Sequence, residues 1–210
     1  MFVIVNKPHG LLVHQSDSSN EYTLRDFLLH NFNINQVGEY KREGIVHRLD
    51  RVTSGLIVCP INNEAFNQLQ EDFKKRKIKK KYKAIVEGSL KSKTGEINLP
   101  LIHSQKNRKK REVGKNGREA ITKYNTILKT DTFSLLEIDL ITGRNHQIRA
   151  HFEYLKTPIV NDTLYGAKKV NELNQNTICL QSYNIEFKFF DKDYKFSINE
   201  PDYFTSIMNM

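Results

Sequence analysis

The chain has 210 residues, 38% of them hydrophobic and 27% charged, with a net charge of +9. That is enough apolar material for one globular domain, expected over residues 1–210, with a substantial core. No stretch approaches the ~20 apolar residues of a membrane-spanning helix, Met1 leads into a short strand rather than a signal peptide, and Cys59 and Cys179 stand alone among apolar neighbours, so the expectation is a cytoplasmic protein without membrane association or disulfides.

In chain order, residues 2–5 predict a strand, Asn6 to Gly10 a turn, and residues 11–14 a second short strand. Thr23 followed by Asp26 resembles a capping box and opens a helix with Leu24, Phe27 and Leu28 inward. Leu56, Ile57, Val58 and Cys59 form a strand that Pro60 ends, after which Asn62 or Asn63 caps a helix burying Phe66, Leu69 and Phe73. Residues 82–86 alternate, with Tyr82, Ala84 and Val86 on one face and Lys83, Ile85 and Glu87 on the other. Residues 133–140 read as a strand. Thr142, Gly143 and Arg144 then turn the chain into a helix with Ile148, Phe152 and Leu155 on its apolar face and His146, Arg149 and Glu153 on the adjacent stripe. Residues 185–198 predict a hairpin turning at Asp191, Lys192 and Asp193. Strands outnumber helices, which implies an α+β fold: a mixed, mostly antiparallel sheet with flanking helices.

Charge is distributed unevenly. Residues 74–118 hold 17 Lys and Arg against 3 Glu, a local balance of +14, so the rest of the chain sums to −5. Single charge runs are commonly just solvated. Two runs flanking strands, residues 74–83 and residues 106–111, are instead the footprint of a phosphate-backbone binder. A zinc site is not expected, because His9/His14 and His146/His151 are each five residues apart and cannot share a helical face.

The most informative stretch is residues 47–55, where Asp50 lies among His47, Arg48, Arg51, Thr53 and Ser54. Cations and hydrogen-bond donors around a carboxylate favour its ionised form, making Asp50 a candidate nucleophile or base. A Ser-His-Asp hydrolase built from Ser54, His47 and Asp50 lacks a Gly-x-Ser-x-Gly elbow. A glycoside hydrolase would require a second carboxylate, and none lies in the motif.

This stretch resembles the signature motif of the RluA-type pseudouridine synthases. Three other segments agree in order: residues 5–14, with Lys7 and Pro8; Lys81, Tyr82, Lys83 and Ala84; and residues 143–151, with His146 and Arg149. The resemblance implies a pseudouridine synthase catalytic domain with a basic cleft, isomerising uridine in RNA without a cofactor or metal. It implies Asp50 as the catalytic carboxylate, Arg149 paired with it, and Tyr82 stacked on the uracil. Arg48 would enter the RNA stack left by the flipped base, and His47 would position the loop or a phosphate. Lys7 and Pro8 would support the cleft floor, while Thr53 and Ser54 would hydrogen-bond the turn. The partner is RNA, ribosomal or transfer, with large-subunit ribosomal RNA the preferred expectation, and the protein is expected to be a monomer. Three features depart from the family pattern. Asn145 stands where Thr is common and is expected to keep a capping role; Leu180, Gln181 and Ser182 replace a frequent Leu-His-Ala; and an amino-terminal S4 domain is not expected. An inactive RNA-binding protein is the remaining alternative.

Overall fold

The computed structural model describes residues 1–15 and 20–210. In chain order the elements are β1 (Phe2–Lys7), α1 (Leu24–Asn31), β2 (Ser54–Pro60), α2 (Asn63–Lys74), β3 (Lys79–Glu87), β4 (Thr94–Asn98), β5 (Leu101–His103), β6 (Arg111–Val113), β7 (Ile121–Lys129), β8 (Phe133–Leu140), α3 (Gln147–Tyr154), a 3-10 turn (Thr163–Tyr165), β9 (Leu180–Phe189), β10 (Lys192–Ser197) and α4 (Asp202–Met208). They form two compact units, Met1–Ile78 with Asn184–Ile198, and Lys79–Tyr183 with Asn199–Met210. The pairs β1–β2, β3–β8, β4–β7, β5–β6, β7–β8 and β9–β10 are antiparallel, and helices accompany the strands, an α+β fold.

In the first unit β1 pairs with β2, Phe2 opposite Pro60 and Lys7 opposite Gly55. Every residue of β2 is buried, which is why its sequence is a continuous apolar run rather than an alternation. Residues 185, 187 and 189 of β9 join Leu56, Val58, Ala65 and Leu69 in one core. The Phe2 ring meets Phe187, Phe189 and Tyr194 edge-on at 5.1–5.2 Å. Thr23 and Asp26 form the expected capping box of α1. Asn62, not Asn63, caps α2: its Oδ1 accepts from the Ala65 N–H at 2.9 Å, while the Asn63 side chain binds the backbone of Gly38 and Gln36. Gly38 has φ +85°, and a Cβ there would lie 2.2 Å from the Phe66 ring, so only glycine fits.

Two local expectations fail here. Residues 11–14 are not a strand; Leu12 makes a single bridge to Thr23, because the Leu12 and Val13 carbonyls accept from the Leu24 and Arg25 N–H groups at the start of α1. Phe27 is 39% exposed, since so short a helix buries only the stripe through Leu24 and Leu28.

In the second unit the strand order is β3-β8-β7-β4. Strands β5 and β6 form a separate two-stranded hairpin. Sequence patterning missed β4 to β7 and α4. The alternation of β7 is broken by a register shift between Thr126 and Leu128, and its outer face is exposed. Helix α4 buries Phe204, Ile207 and Met208. Ahead of α3, Gln147 Oε1 accepts from Thr142 Oγ1 at 2.7 Å and from the Arg144 N–H at 3.0 Å, which fixes the turn. His151 is fully buried; its ring nitrogens meet Thr122 Oγ1 at 2.9 Å and the Leu99 carbonyl at 3.0 Å, and burial lowers its pKa. It serves as a structural tie. Among the described residues no helix is long and apolar enough to cross a membrane.

Candidate active site

Asp50 opens a tight turn in the first unit, its carbonyl accepting from the Thr53 N–H at 3.1 Å. The turn is clamped by residues of the distant amino-terminal segment. Gly10 N–H donates to the Arg51 carbonyl at 2.8 Å, and His9 Nδ1 donates to the Val52 carbonyl at 2.8 Å. Lys7, fully buried, donates from Nζ to the carbonyls of Pro8, Leu11 and Arg51 at 2.8, 2.9 and 3.3 Å. One ammonium thus ties both chain segments together and places a positive charge near Asp50. Fixed backbone directly after Asp50 limits the directions its carboxylate can take, which suits a group that must meet a substrate atom in one geometry.

Burial lowers the Lys7 pKa to about 8; Asp50 opposes that shift and Arg51 reinforces it. Between pH 8 and the ordinary value of 10.5 the unfolded chain keeps a proton that the folded chain has released. Stability contributed here therefore rises with pH across that window, and the cost of burying the ammonium is full below it. Lys7→Met is expected to leave carbonyls without a donor and to cost about 2 kcal/mol at neutral pH. It should also flatten the rise in stability above pH 8. Lys80, lowered by burial to about 8 as well, titrates in the same range, so urea unfolding of wild type and variant across that range isolates the Lys7 part by difference.

Tyr82 and Arg149 belong to the second unit. Tyr82 lies on β3 opposite Ile138 and is 5% exposed, more deeply set than a half-buried strand tyrosine. Arg149 is no solvent-facing helix residue; it is 4% exposed. Its Nε donates to Asp162 Oδ2 at 2.7 Å and its Nη2 to Asp162 Oδ1 at 2.9 Å, a two-pronged pair that fixes the guanidinium plane. Its Cζ also lies 4.8 Å from the centre of the Tyr165 ring. Lys110 Nζ lies 4.7 Å from the same ring and pairs with Glu153 at 2.6 Å. The buried Tyr165 hydroxyl accepts from the Arg111 N–H and meets His146 Nδ1, both at 2.9 Å. A set of contacts thus joins α3, the segment after it and the β5–β6 hairpin. Asp162 and Tyr165 were not singled out from sequence. Their signal was only an Asp and a Tyr three residues apart in an unremarkable loop, and nothing local links them to Arg149.

Comparison with known proteins decides what these residues belong to. The family described as RNA pseudouridylate synthase matches residues 1–154. The chain is a member of that family. It is 38% identical over 202 residues to the Borreliella burgdorferi protein named Ribosomal large subunit pseudouridine synthase D, covering 94% of this chain and 62% of that protein. It is 36% identical to the Buchnera aphidicola protein named Ribosomal large subunit pseudouridine synthase C, covering 89% of this chain and 59% of the relative. The chain therefore spans about six-tenths of the length of these curated relatives. The solved structure of Human RNA Pseudouridylate Synthase Domain Containing 4 shares the fold, with a TM-score of 0.78 at 23% identity, over 99% of this chain and 88% of that one.

Within this pseudouridylate synthase fold the other motif residues divide. His47 Nε2 accepts from the Val58 N–H at 3.0 Å and its ring stacks on Phe73 at 4.4 Å, so it anchors the loop to β2 and α2. Arg48 is exposed. Arg51 pairs with Glu21 at 2.8 Å. Ser54 Oγ is buried with no hydrogen-bond partner among the described residues, and His47 Nε2 is already occupied, so no Ser-His couple forms. Thr53 bonds the Asp50 turn through its backbone. Gln181 donates to the Asn199 carbonyl at 3.0 Å, tying the start of β9 to the segment ahead of α4. Asn145 does not cap α3. The cap position is His146, in the left-handed region at φ 55° and without a side-chain cap bond, because Gln147 already holds the turn.

The run at residues 74–83 is less open than its composition suggested. Lys80 is partly withdrawn from solvent, Lys81 meets Glu137 at 3.1 Å and Lys83 meets Glu200 at 3.1 Å, and Lys74 and Lys75 pair with Glu71. Lys74 and Lys75 find their acidic partner one helical turn away, whereas the partners of Lys81 and Lys83 come from segments far away in sequence.

Proposed function

We propose that this protein isomerises a uridine to pseudouridine within RNA, most specifically in large-subunit ribosomal RNA. The observation that carries the reading is the family match through the Asp50 stretch, combined with the clamp of Lys7, His9 and Gly10 on that turn. The N1–C1′ bond breaks, the uracil turns, and a C5–C1′ bond forms; N1 gains a proton and C5 loses one, so the reaction balances without a redox partner, water or cofactor. Asp50 attacks C1′ or removes the 2′ proton. Arg149 supplies the cation that keeps the carboxylate ionised, and Tyr82 stacks on the base. The reacting atoms are shielded in stacked RNA, so the uridine must flip out. Arg48 fills the space it leaves, and His47 holds the loop. The ribosomal preference is supported by the names of the relatives.

Chemical mapping of pseudouridine in total RNA from cells with and without the gene tests this. The expected result is loss of one or a few sites in large-subunit ribosomal RNA. Loss confined to transfer RNA would overturn the target, and no lost site would overturn the activity. RNA affinity is expected to fall steeply as salt rises, its logarithm dropping by about 0.7–0.9 per tenfold rise in salt for each phosphate contacted. A salt-insensitive affinity would remove residues 74–118 from the binding surface.

A further inference from the structure

A cavity of about 350 Å³ opens in the second unit beside the β5–β6 hairpin, within the size range of small-ligand sites. Its floor is Leu101 and Ile102, and its walls carry Arg111, Arg118, Arg144 and Asn116. Neither Tyr82 nor Arg149 lines it. The support is rigid. Leu101 and Arg118 exchange two backbone hydrogen bonds at 2.9 Å each, and Gly114 N–H donates to the Pro100 carbonyl at 2.9 Å. A Cβ at Gly117 would lie 2.5 Å from the Leu101 backbone, so only glycine lets this turn rest against β5.

Three guanidinium groups meet at this cavity. Arg25, Arg51 and Arg149 each hold a carboxylate. Among the described residues Arg111, Arg118 and Arg144 have no acidic partner. Arg144 Nε donates to the Glu119 carbonyl at 3.0 Å, which orients the guanidinium while leaving its terminal nitrogens uncommitted to that bond. Arg111 packs against His103 Nδ1. Guanidinium groups gathered on one cavity without a carboxylate repel one another, and an anion relieves that repulsion. The planar fork matches a phosphate through two parallel hydrogen bonds, and an apolar floor beside it suits a ribose or base.

We propose that this cavity holds one nucleotide of the substrate RNA other than the reacting uridine, gripped by its phosphodiester on Arg118 and Arg144. This rests on the RNA-substrate reading above. The shared chemistry is a phosphate group, whether in an RNA strand or free in solution, and the proposal commits to the strand.

The test compares wild type with Arg118→Lys, Arg118→Ala and Arg144→Lys, using the RNA identified by mapping. The lysine variants keep the charge and lose the fork, so each should raise KM about fivefold to tenfold with kcat within about twofold. Arg118→Ala should in addition lower the slope of log affinity against log salt by about 1. Lysine variants indistinguishable from wild type would overturn the proposal, because a diffuse positive field needs no fork. Ethylation interference on the RNA should show a phosphate whose modification weakens wild-type binding and no longer matters to Arg118→Ala; an identical pattern for both proteins would also overturn it. Inorganic phosphate that competes with wild-type RNA binding, alongside unchanged RNA binding by the variants, would reassign the cavity to free anions and overturn it. Absence of conversion by wild type would count against the proposed function alone, since interference reads binding.

Discussion

Asp50→Asn is expected to lower the rate of uridine conversion by at least about four orders of magnitude while leaving RNA affinity within about threefold. Asparagine has nearly the shape of aspartate, and the hydrogen bond that shapes the turn runs from the Thr53 N–H to the Asp50 backbone carbonyl, which the substitution leaves in place. The clamp from Lys7, His9 and Gly10 acts on the carbonyls of Arg51 and Val52, and those also remain. What disappears is the negative charge and the basic, nucleophilic oxygen pair. Single-turnover conversion of the mapped RNA and a filter-binding titration read the two effects separately. A variant converting at the wild-type rate would remove Asp50 from the chemistry, and a variant that lost both activity and affinity would show that the carboxylate contributes to binding.

The second large effect concerns Asp162. Its carboxylate and the Arg149 guanidinium are both buried, at 2% and 5% side-chain exposure, and meet at 2.7 Å. Removing one partner of such a pair leaves a desolvated charge without compensation, so Asp162→Ala is expected to cost about 3–5 kcal/mol in urea unfolding. Replacing both partners by apolar groups is milder, and the double variant Asp162→Ala with Arg149→Met should regain part of that loss while remaining inactive. The contrast matters because a merely structural pair would give back activity along with stability. Tyr165 lies under the same guanidinium, so Asp162→Asn, which keeps one acceptor oxygen, should fall between wild type and Asp162→Ala in both stability and rate. A cost below about 1 kcal/mol for Asp162→Ala would mean that Arg149 finds another anion once Asp162 is gone.

Much of the local architecture was legible because it depends on neighbours along the chain. The Thr23 and Asp26 capping box, the Asn62 cap, the buried run in β2 and the alternation through β9 and β10 are each set within a few residues. The short strands β4, β5 and β6 were not legible, since three to five residues carry too little period to distinguish a strand from a loop. The hairpin turn also differs slightly from expectation: β9 runs to Phe189, and Phe190 with Asp191 makes the reversal, Phe190 taking a positive φ of 49°.

The amino-acid sequence by itself determined which chemical groups this protein has to offer: one carboxylate set among cations at residues 47–55, a tyrosine within a basic strand, and an arginine on a late helix. Tertiary structure alone decided how each charge is used. Lys7 became a buried tie, Lys80 was partly withdrawn from solvent, Arg149 acquired Asp162, and Arg111, Arg118 and Arg144 were left facing a cavity without a carboxylate. The reason is that a side chain's local period fixes the face it sits on, whereas its burial and its ion partner come from whichever distant segment packs there, over separations that no local pattern records.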